Sequence, residues 1–222
     1  MSTAPGLPEV PSVNRTVYVV DDDPMIRTSV EKIIGRRGYS VETYESGEAF
    51  LESVSQSDTG CVLIDVRLPG GISGMELLER MRQRNLELPA VMLTGFAEIS
   101  DCVQALKFGA VDFLEKPYRT SQLLEAIETA IKQDAENRSI DSVRRELKQR
   151  IQTLTPDECN VLDGIADGKI QRNVATELNI SLRTVQFRRS DILKKMGVQT
   201  NAELLQLLSK AREMGLYPPV RD

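Results

Sequence analysis

The sequence predicts an α/β domain, a doubly wound five-stranded parallel sheet, joined by a helical linker to a small all-α domain of four helices. In residues 15–133, short apolar runs alternate with segments whose apolar residues recur at helical spacing. Residues 134–151 are strongly charged and contain neither Pro nor Gly, which favours a solvated helical linker. Residues 152–214 show helical patterns alone.

Composition places the protein among soluble globular proteins. Its 222 residues suffice for two small domains, and its 41% hydrophobic and 27% charged content is ordinary. No apolar run approaches the roughly 20 residues that span a bilayer. Residues 1–14 lack the pattern of a secretory signal and are expected to form a flexible lead, as residues 215–222 are expected to form a tail. We therefore expect a cytoplasmic protein with no membrane partner.

Several chemistries are excluded by the residues that the chain lacks. There is no histidine, which removes Ser-His and Cys-His catalysis and every His-ligated metal site. The cysteines, Cys61, Cys102 and Cys159, are scattered and are expected to be small core residues. The acidic excess falls in residues 1–150, whereas residues 151–222 are nearly neutral, so the overall charge of −5 would hide a local nucleic-acid surface.

The elements of the first domain follow from the periodicity of its apolar residues. The predicted strands are Thr16–Val20, Ser40–Tyr44, Gly60–Ile64, Ala90–Leu93 and Val111–Leu114. The predicted helices are Met25–Arg37, Gly47–Val54, Met75–Gln83, Ile99–Lys107 and Ser121–Lys132. Apolar strands between amphipathic helices indicate a parallel sheet that is covered on both faces.

Polar groups follow four of the five predicted strands. These residues are Asp21, Asp22 and Asp23 after the first strand, Asp65 after the third, Thr94 at the fourth, and Lys116 after the fifth. In open α/β sheets, ligands bind outside the carboxyl ends of the strands. Several carboxylates at one edge would repel each other unless a cation lay among them, and an all-oxygen site suits Mg²⁺.

This set of groups indicates phosphoryl chemistry. An aspartate can attack a phosphoryl group and form an acyl phosphate. The transferred group then needs Mg²⁺ and fixed donors around its oxygens, which Lys116 and Thr94 can supply. Each motif alone is weak, because short motifs often occur by chance, but together they stand at the right strands in the right order.

Residues 15–133 resemble the receiver domain of two-component response regulators, which has a flavodoxin-like fold. The motifs that carry the resemblance are VVDDD (19–23), LIDVRLPG (63–70), MLTGFA (92–97) and GAVDFLEKP (109–117). One departure is visible in the loop LPGGISGME after Asp65, which is one residue longer than the common pattern.

The resemblance implies a role for each matching position. Asp65 is the phospho-acceptor, and Mg²⁺ is held by Asp21, Asp22, Asp65 and the backbone carbonyl of Arg67. Thr94 and Phe113 resemble the switch pair of the family. Lys116 resembles the lysine that contacts the phosphoryl group and precedes a frequently cis proline.

The second domain carries the signals of a helix-turn-helix. Its predicted helices are Pro156–Ala166, Ile170–Leu178, Ser181–Met196 and Asn201–Arg212. Thr155 and Glu158 form a capping box around Pro156, and Ser181 is placed to cap the third helix. The short connection at Asn179 has the length that a helix-turn-helix requires.

The third helix of this domain combines an apolar face with a basic one. Val185, Ile192 and Met196 are expected to face inward, and the opposite side is rich in cations. Arg and Lys would contact DNA phosphates, while residues near the helix N-terminus would meet base edges. The candidate DNA contacts are Arg183, Thr184, Gln186, Phe187, Arg188, Arg189, Ser190 and Lys194.

Residues 152–212 resemble the LuxR-type helix-turn-helix of the NarL/FixJ class of regulators. The shared pattern begins with LT, P, E and VL within residues 154–162, at the start of the domain. It ends with KKMGV at residues 194–198, where the third helix ends. Where the family commonly has TVxVH, this chain has Phe187 and Arg188, so the DNA sequence that it reads stays open.

The two resemblances together imply a transcriptional regulator. A sensor histidine kinase phosphorylates Asp65, the face formed by residues 99–107, 111–114 and 121–132 repacks, and the chain forms a homodimer on double-stranded DNA. The only catalysis implied is Mg²⁺-dependent self-phosphorylation from a phosphodonor and self-dephosphorylation.

Two alternatives stay open at this point. The α/β domain could be a phosphatase with an aspartyl-phosphate intermediate, although that class carries DxDx[TV] at its first strand and the acceptor here follows the third. It could also be an interaction module that needs no phosphate, against which Asp22, Asp65, Thr94 and Lys116 argue.

Overall fold

A computed structural model describes residues 15–95 and 104–217. The chain divides into two compact units, Met1–Asn137 and Arg138–Asp222. Each unit has its own hydrophobic core among the described residues.

The first unit contains the predicted five-stranded parallel sheet. Its strands are β1 (Thr16–Val20), β2 (Ser40–Tyr44), β3 (Gly60–Asp65), β4 (Ala90–Thr94) and β5 (Asp112–Glu115). The spatial order is β2-β1-β3-β4-β5, and every pairing is parallel. The strand order reverses between β1 and β3, which is where a doubly wound sheet opens a crevice at its carboxyl edge.

Helices cover both faces of this sheet. They are α1 (Pro24–Gly35), α2 (Gly47–Ser53), α3 (Gly74–Gln83) and α4 (Thr120–Gln152). The helix predicted over 99–107 lies partly outside the described residues, and its described part, 104–107, is helical. The other predicted boundaries in this unit match or differ by one or two residues, except for the end of α4, which extends well beyond Lys132.

Alternation along the strands divides the apolar side chains between two layers. Val17, Val19 and Leu63 face α1 and the first half of α4, packing with residues such as Ile34 and Ile127. Tyr18, Val20, Val62 and Ile64 face α2 and α3, packing with residues such as Phe50 and Leu77. The strands β1, β3 and β4 are therefore buried on both sides, whereas the edge strand β2 exposes Ser40, Glu42 and Thr43.

The second unit packs four further helices around one core. They are α5 (Pro156–Ala166), α6 (Gln171–Glu177), α7 (Leu182–Met196) and α8 (Asn201–Glu213). The predicted capping box is present at α5, where the Thr155 hydroxyl accepts from the Glu158 backbone and the Glu158 side chain accepts from the Thr155 backbone. Ser181 caps α7 by accepting from the Thr184 N–H at 3.0 Å. Val185, Ile192 and Met196 are fully buried, as predicted.

The predicted linker and tail are more structured than their composition suggests. Leu147 and Ile151 are buried in the core of the second unit, and the Arg150 Nη1 donates to the Met196 carbonyl at 2.6 Å. Tyr217, predicted to lie in the tail, is buried, and its hydroxyl donates to Asp163 at 2.6 Å. The charges between Leu147 and Ile151 conceal an i, i+4 apolar pair, which is why the segment looked solvated.

Two of the cysteines are the core residues that were predicted. Cys61 and Cys159 are buried and form no disulfide among the described residues, and Cys102 lies outside the described residues. Burial raises the pKa of Cys61 to about 12, so its thiol stays protonated and inert near neutral pH. Among the described helices, none has the length and apolar character needed to cross a bilayer.

Glu158 ties α5 to α7 and gives a prediction for the stability of the second unit. Its buried carboxylate accepts from Lys195 Nζ at 2.7 Å as well as from the Thr155 N–H. We expect Glu158→Gln to lower the free energy of unfolding of this unit by about 1 to 3 kcal/mol at neutral pH, measured by denaturant unfolding. Glu177→Gln, which removes an exposed pair with Lys169, is the matched control and should cost less than about 1 kcal/mol.

The same prediction has a defined pH dependence. Burial alone would raise the pKa of Glu158, but the hydrogen bonds from Lys195 and Thr155 outweigh it and hold the pKa below its ordinary 4.5. The carboxylate therefore contributes its stability above about pH 4.5 and loses it as pH falls through the lowered pKa. A stability difference between wild type and Glu158→Gln that stayed constant into that acid range would contradict this assignment.

Candidate functional site

Three carboxylates converge at the carboxyl edge of the sheet, where β1 and β3 end. Asp21, Asp22 and Asp65 each offer an oxygen atom, and these oxygens lie within 4.8 Å of one another. Asp21 is fully buried, Asp65 is 8% exposed, and Asp22 is exposed to solvent. The strand topology thus brings together the acidic residues that the sequence predicted as a metal site.

The turn after β1 is held by Arg27, a residue that the sequence analysis missed. Its Nη1 donates to the backbone carbonyls of Asp21 at 2.6 Å and Asp22 at 2.9 Å. Asp23 turns away from the cluster and caps α1, accepting from the Met25 N–H at 2.8 Å. The position of Arg27, one turn into the helix that follows the aspartates, is the only sequence signal for this role.

Asp65 is the last residue of β3, and its surroundings fix its backbone closely. Its Oδ1 accepts from the Arg67 N–H at 3.0 Å, which holds the start of the following loop. Gly74, the first residue of α3, packs directly on the Asp65 carbonyl, so that an ideal Cβ on Gly74 would lie 2.0 Å from that oxygen. The absence of a side chain at Gly74 lets α3 begin against the end of β3.

This close approach predicts a large effect for a small substitution. We expect Gly74→Ala to displace the end of β3 and to lower the stability of the first unit by about 1 to 3 kcal/mol, measured by denaturant unfolding. Gly35→Ala is the matched control: its Cβ would meet nothing within 4 Å, so stability should stay unchanged or rise by up to about 1 kcal/mol. Equal effects of the two substitutions would contradict the packing argument.

Lys116 joins two of the carboxylates. Its Nζ donates to Asp21 Oδ2 at 2.7 Å and to Asp65 Oδ2 at 2.6 Å. Its backbone N–H donates to the Thr94 carbonyl at 2.6 Å, and the Lys116-Pro117 peptide bond is cis. Burial alone would lower the pKa of Lys116, but the bonds to Asp21 and Asp65 outweigh it and raise that pKa, so the ammonium stays charged.

The charges in this pocket do not balance. Asp21 and Asp65 share the single ammonium of Lys116, Asp22 adds a third carboxylate beside them, and burial raises the pKa of Asp21 despite its hydrogen bond from Lys116. The main cause is that burial removes water from the Asp21 carboxylate, and the negative charge of Asp65 adds to it. A divalent cation would compensate this charge, and three carboxylate oxygens are ligands that a hard cation accepts.

The two residues predicted as a switch lie on neighbouring strands. Thr94 ends β4 and is fully buried, while Phe113 lies on β5 and is partly buried against the layer that contains α3. The register pairs Met92 with Phe113 and Thr94 with Glu115. Their predicted movement on phosphorylation stays a prediction.

The unusually long loop after β3 is fastened by Glu48, a second residue that the sequence analysis missed. Glu48 is on α2, and its Oε1 accepts from the Ile72 N–H at 2.9 Å. Gly70 adopts a left-handed φ of +85°, and Gly71 packs against the Glu48 carboxylate, which a side chain at Gly71 would displace. The extra glycine is therefore accommodated in an ordered loop.

In the second unit, α7 presents the residues predicted to contact DNA on two different sides. Arg183, Gln186, Phe187, Ser190 and Lys194 are exposed, and Thr184 near the N-cap is partly exposed. The five exposed residues recur at spacings of three and four, so they form one face, which we call the exposed α7 face.

Arg188 and Arg189 are engaged within the second unit instead. The Arg188 guanidinium forms an ion pair with Asp157 at the start of α5. The Arg189 Nε donates to the Asn201 side chain at 2.7 Å, at the start of α8. Their predicted phosphate contacts stay predictions, but part of their hydrogen-bonding capacity already serves to hold α7 in place.

Comparison with known proteins matches both units to described families. Residues 17–128 match the family described as response regulator receiver domain. Residues 152–208 match the family described as bacterial regulatory proteins, luxR family.

Similar proteins share the two-part organisation over nearly their whole length. The transcriptional regulatory protein FixJ of Bradyrhizobium diazoefficiens is 35% identical, over 88% of this chain and 95% of FixJ. The response regulator protein TodT of Pseudomonas putida is 32% identical, over 94% of this chain and 91% of TodT. The solved structure of the response regulator StyR superposes with a TM-score of 0.84 at 35% identity, covering 89% of this chain and all of that one.

The sheet topology, the acidic cluster with its lysine and the helix-turn-helix define a receiver domain joined to a DNA-binding domain. The chain belongs to the response regulators of the NarL/FixJ class.

Proposed function

We propose that this protein is a transcriptional regulator whose binding to double-stranded DNA is switched by phosphorylation of Asp65. The observation that carries the proposal is the position of the Asp65 carboxylate, 2.6 Å from Lys116 Nζ and within 4.8 Å of the Asp21 and Asp22 oxygens. A nucleophile, a fixed cation and an acidic metal site thus coincide in a chain that also carries a LuxR-type domain.

Magnesium is the cofactor that best fits the acidic cluster. Asp21, Asp22 and Asp65, with the Arg67 carbonyl, would hold it, and the donor set consists entirely of oxygen. When bound, the ion neutralises charge on the phosphoryl oxygens. The sharing of one ammonium by Asp21 and Asp65, both buried, supports the same assignment, because a bound cation would offset the charge that Lys116 alone does not balance.

Asp65, Lys116 and Thr94 have different roles in the proposed phosphoryl transfer. One carboxylate oxygen of Asp65 forms the new P–O bond while the bond from phosphorus to the donor breaks. In a kinase partner that donor is a phosphohistidine. Lys116 already donates to Asp65 Oδ2, so its ammonium can stabilise the negative charge of the phosphoryl oxygens. The buried Thr94 hydroxyl is a further donor at the same edge of the sheet.

Phosphorylation then biases an existing equilibrium of the receiver domain. In this proposal, Thr94 and Phe113 reorganise around the phosphoryl group and favour a homodimer. A dimer places two copies of α7 about one turn of DNA apart, so that two weak half-sites bind tightly together. Self-dephosphorylation returns the protein to its starting state.

The proposal is tested with the full chain, Mg²⁺ and acetyl phosphate as a small phosphodonor. We expect a phosphoryl label that hydroxylamine removes and that peptide mapping places on Asp65. Asp65→Asn should abolish the label, whereas Asp112→Asn should retain it, because Asp112 begins β5 and only accepts from the Phe113 N–H. A hydroxylamine-resistant label, or one that persists in Asp65→Asn, would contradict the acceptor assignment.

A further inference from the structure

Phe187 is an exposed aromatic residue on an otherwise polar face. Its side chain is 66% exposed on the second turn of α7, the largest aromatic exposure among the described residues. The inner side of α7 is filled by Val185, Ile192 and Met196, so Phe187 is not needed by the core. A single exposed apolar residue is ordinary on a protein surface, so its meaning depends on the residues that share the face with it.

The residues around Phe187 indicate what kind of ligand this face suits. Arg183 lies one turn before it and Lys194 two turns after it on the exposed α7 face, and Gln186 and Ser190 lie beside it. Cations at both ends of the face suit a polyanion with phosphates on either side of a groove. A purely apolar protein partner would leave these charges to be desolvated without compensation.

We propose that Phe187 reads the 5-methyl group of a thymine in the major groove, and so fixes an A·T pair in each half-site. A phenyl ring has no hydrogen-bond donor or acceptor, so among the major-groove edges of the bases only the thymine methyl group offers it an apolar contact. The proposal rests on the proposed DNA-binding function. It adds the chemical group on the DNA that α7 selects.

The expected size of the effect follows from the surface of one methyl group. Burying a single methyl or methylene group contributes enough to change an affinity about fourfold. We therefore expect removal of the methyl group to weaken binding about threefold to tenfold for each half-site. Removing Phe187 should abolish the discrimination, while the electrostatic part of the affinity persists.

The test uses the full chain treated with acetyl phosphate and Mg²⁺, and a pool of random-sequence duplexes. The duplexes that are enriched by selection are resynthesised with 2′-deoxyuridine in place of one thymine at a time, which removes only the 5-methyl group. For one thymine in each half-site, we expect its replacement by 2′-deoxyuridine to lower the affinity of the wild-type protein about threefold to tenfold. For Phe187→Ala, the affinities for thymine and uracil at that position should be equal.

Controls separate this inference from its premise. Phe187→Ala should unfold at the wild-type temperature because the ring is outside the core, and Leu205→Ala, another exposed apolar residue, should keep the wild-type ratio of thymine to uracil affinity. Enrichment with no methyl-sensitive thymine, or the same ratio in Phe187→Ala, would overturn the inference alone. Failure to enrich any duplex, together with binding that does not depend on salt, would overturn the DNA-binding function as well.

Discussion

Replacing Lys116 with Met is expected to slow phosphoryl transfer to Asp65 by a factor of about 10² to 10³. Among the described residues, Lys116 is the one cation that contacts the acceptor carboxylate, and its side chain is 17% exposed, so solvent replaces it poorly. The developing charge on the phosphoryl oxygens would then lose a fixed donor in a partly buried site. The measurement is the rate at which hydroxylamine-labile phosphate appears with acetyl phosphate as donor.

Magnesium binding separates this effect from a loss of structure. The pocket of Lys116→Met keeps all three carboxylates and loses a competing positive charge, so its affinity for Mg²⁺, measured by calorimetry, should be retained or increased. Lys132→Met is the matched control, because Lys132 is 79% exposed on α4 and pairs only loosely with Glu136. A wild-type rate for Lys116→Met would remove Lys116 from the proposed mechanism.

Replacing both Arg183 and Lys194 with Ala is expected to weaken DNA binding strongly and to flatten its dependence on salt. Each cation that contacts a phosphate contributes about 0.9 to the slope of log affinity against log salt concentration. If both residues on the exposed α7 face contact phosphates, the slope should fall in magnitude by about 2 for each bound copy of the chain. The measurement is binding to a labelled mixed-sequence duplex across a salt series.

The matched comparison is the double substitution Arg188→Ala and Arg189→Ala. These arginines hold Asp157 and Asn201, so their loss should reduce the stability of the second unit and change the salt slope less than the first pair does. A larger slope change for Arg188 and Arg189 would mean that they leave these partners on DNA, and that the exposed α7 face is not the main contact surface.

The acidic pocket could be predicted from the sequence because its members are fixed by topology. Asp65 and Thr94 each end a parallel strand and Asp21 directly follows one, and parallel strands that share a sheet bring their carboxyl ends to one edge. Lys116 follows the edge strand β5, and its long side chain reaches across to Asp21 and Asp65. The order of the strands was therefore enough to predict that these groups lie close together.

The supporting contacts could not be predicted, because they depend on where helices pack rather than on strand order. Arg27 turns back over the backbone of Asp21, and Glu48 crosses from α2 to the loop after β3. Neither residue differs in the sequence from an ordinary surface charge. The burial of Leu147 was hidden for the same reason, since it occurs among charged residues, and that of Tyr217 because it follows the last helix.

The prediction of DNA contacts on α7 was limited in a similar way. Helical periodicity separated the buried side of α7 from the rest, but it could not tell which cations face solvent freely and which hold neighbouring helices. The partner of Arg188 lies 31 residues away in the sequence, so only the packing of α5 against α7 reveals it.

The central claim is that the phosphorylation state of Asp65 controls DNA binding, and one measurement tests it most directly. The affinity of the full chain for a selected duplex is measured before and after treatment with acetyl phosphate and Mg²⁺, with the phosphorylated fraction determined in the same sample. We expect wild-type affinity to rise about fivefold to 150-fold, the usual range of allosteric coupling, and the affinity of Asp65→Asn to stay constant. An unchanged affinity in fully phosphorylated wild type, or an equal rise in Asp65→Asn, would contradict the account.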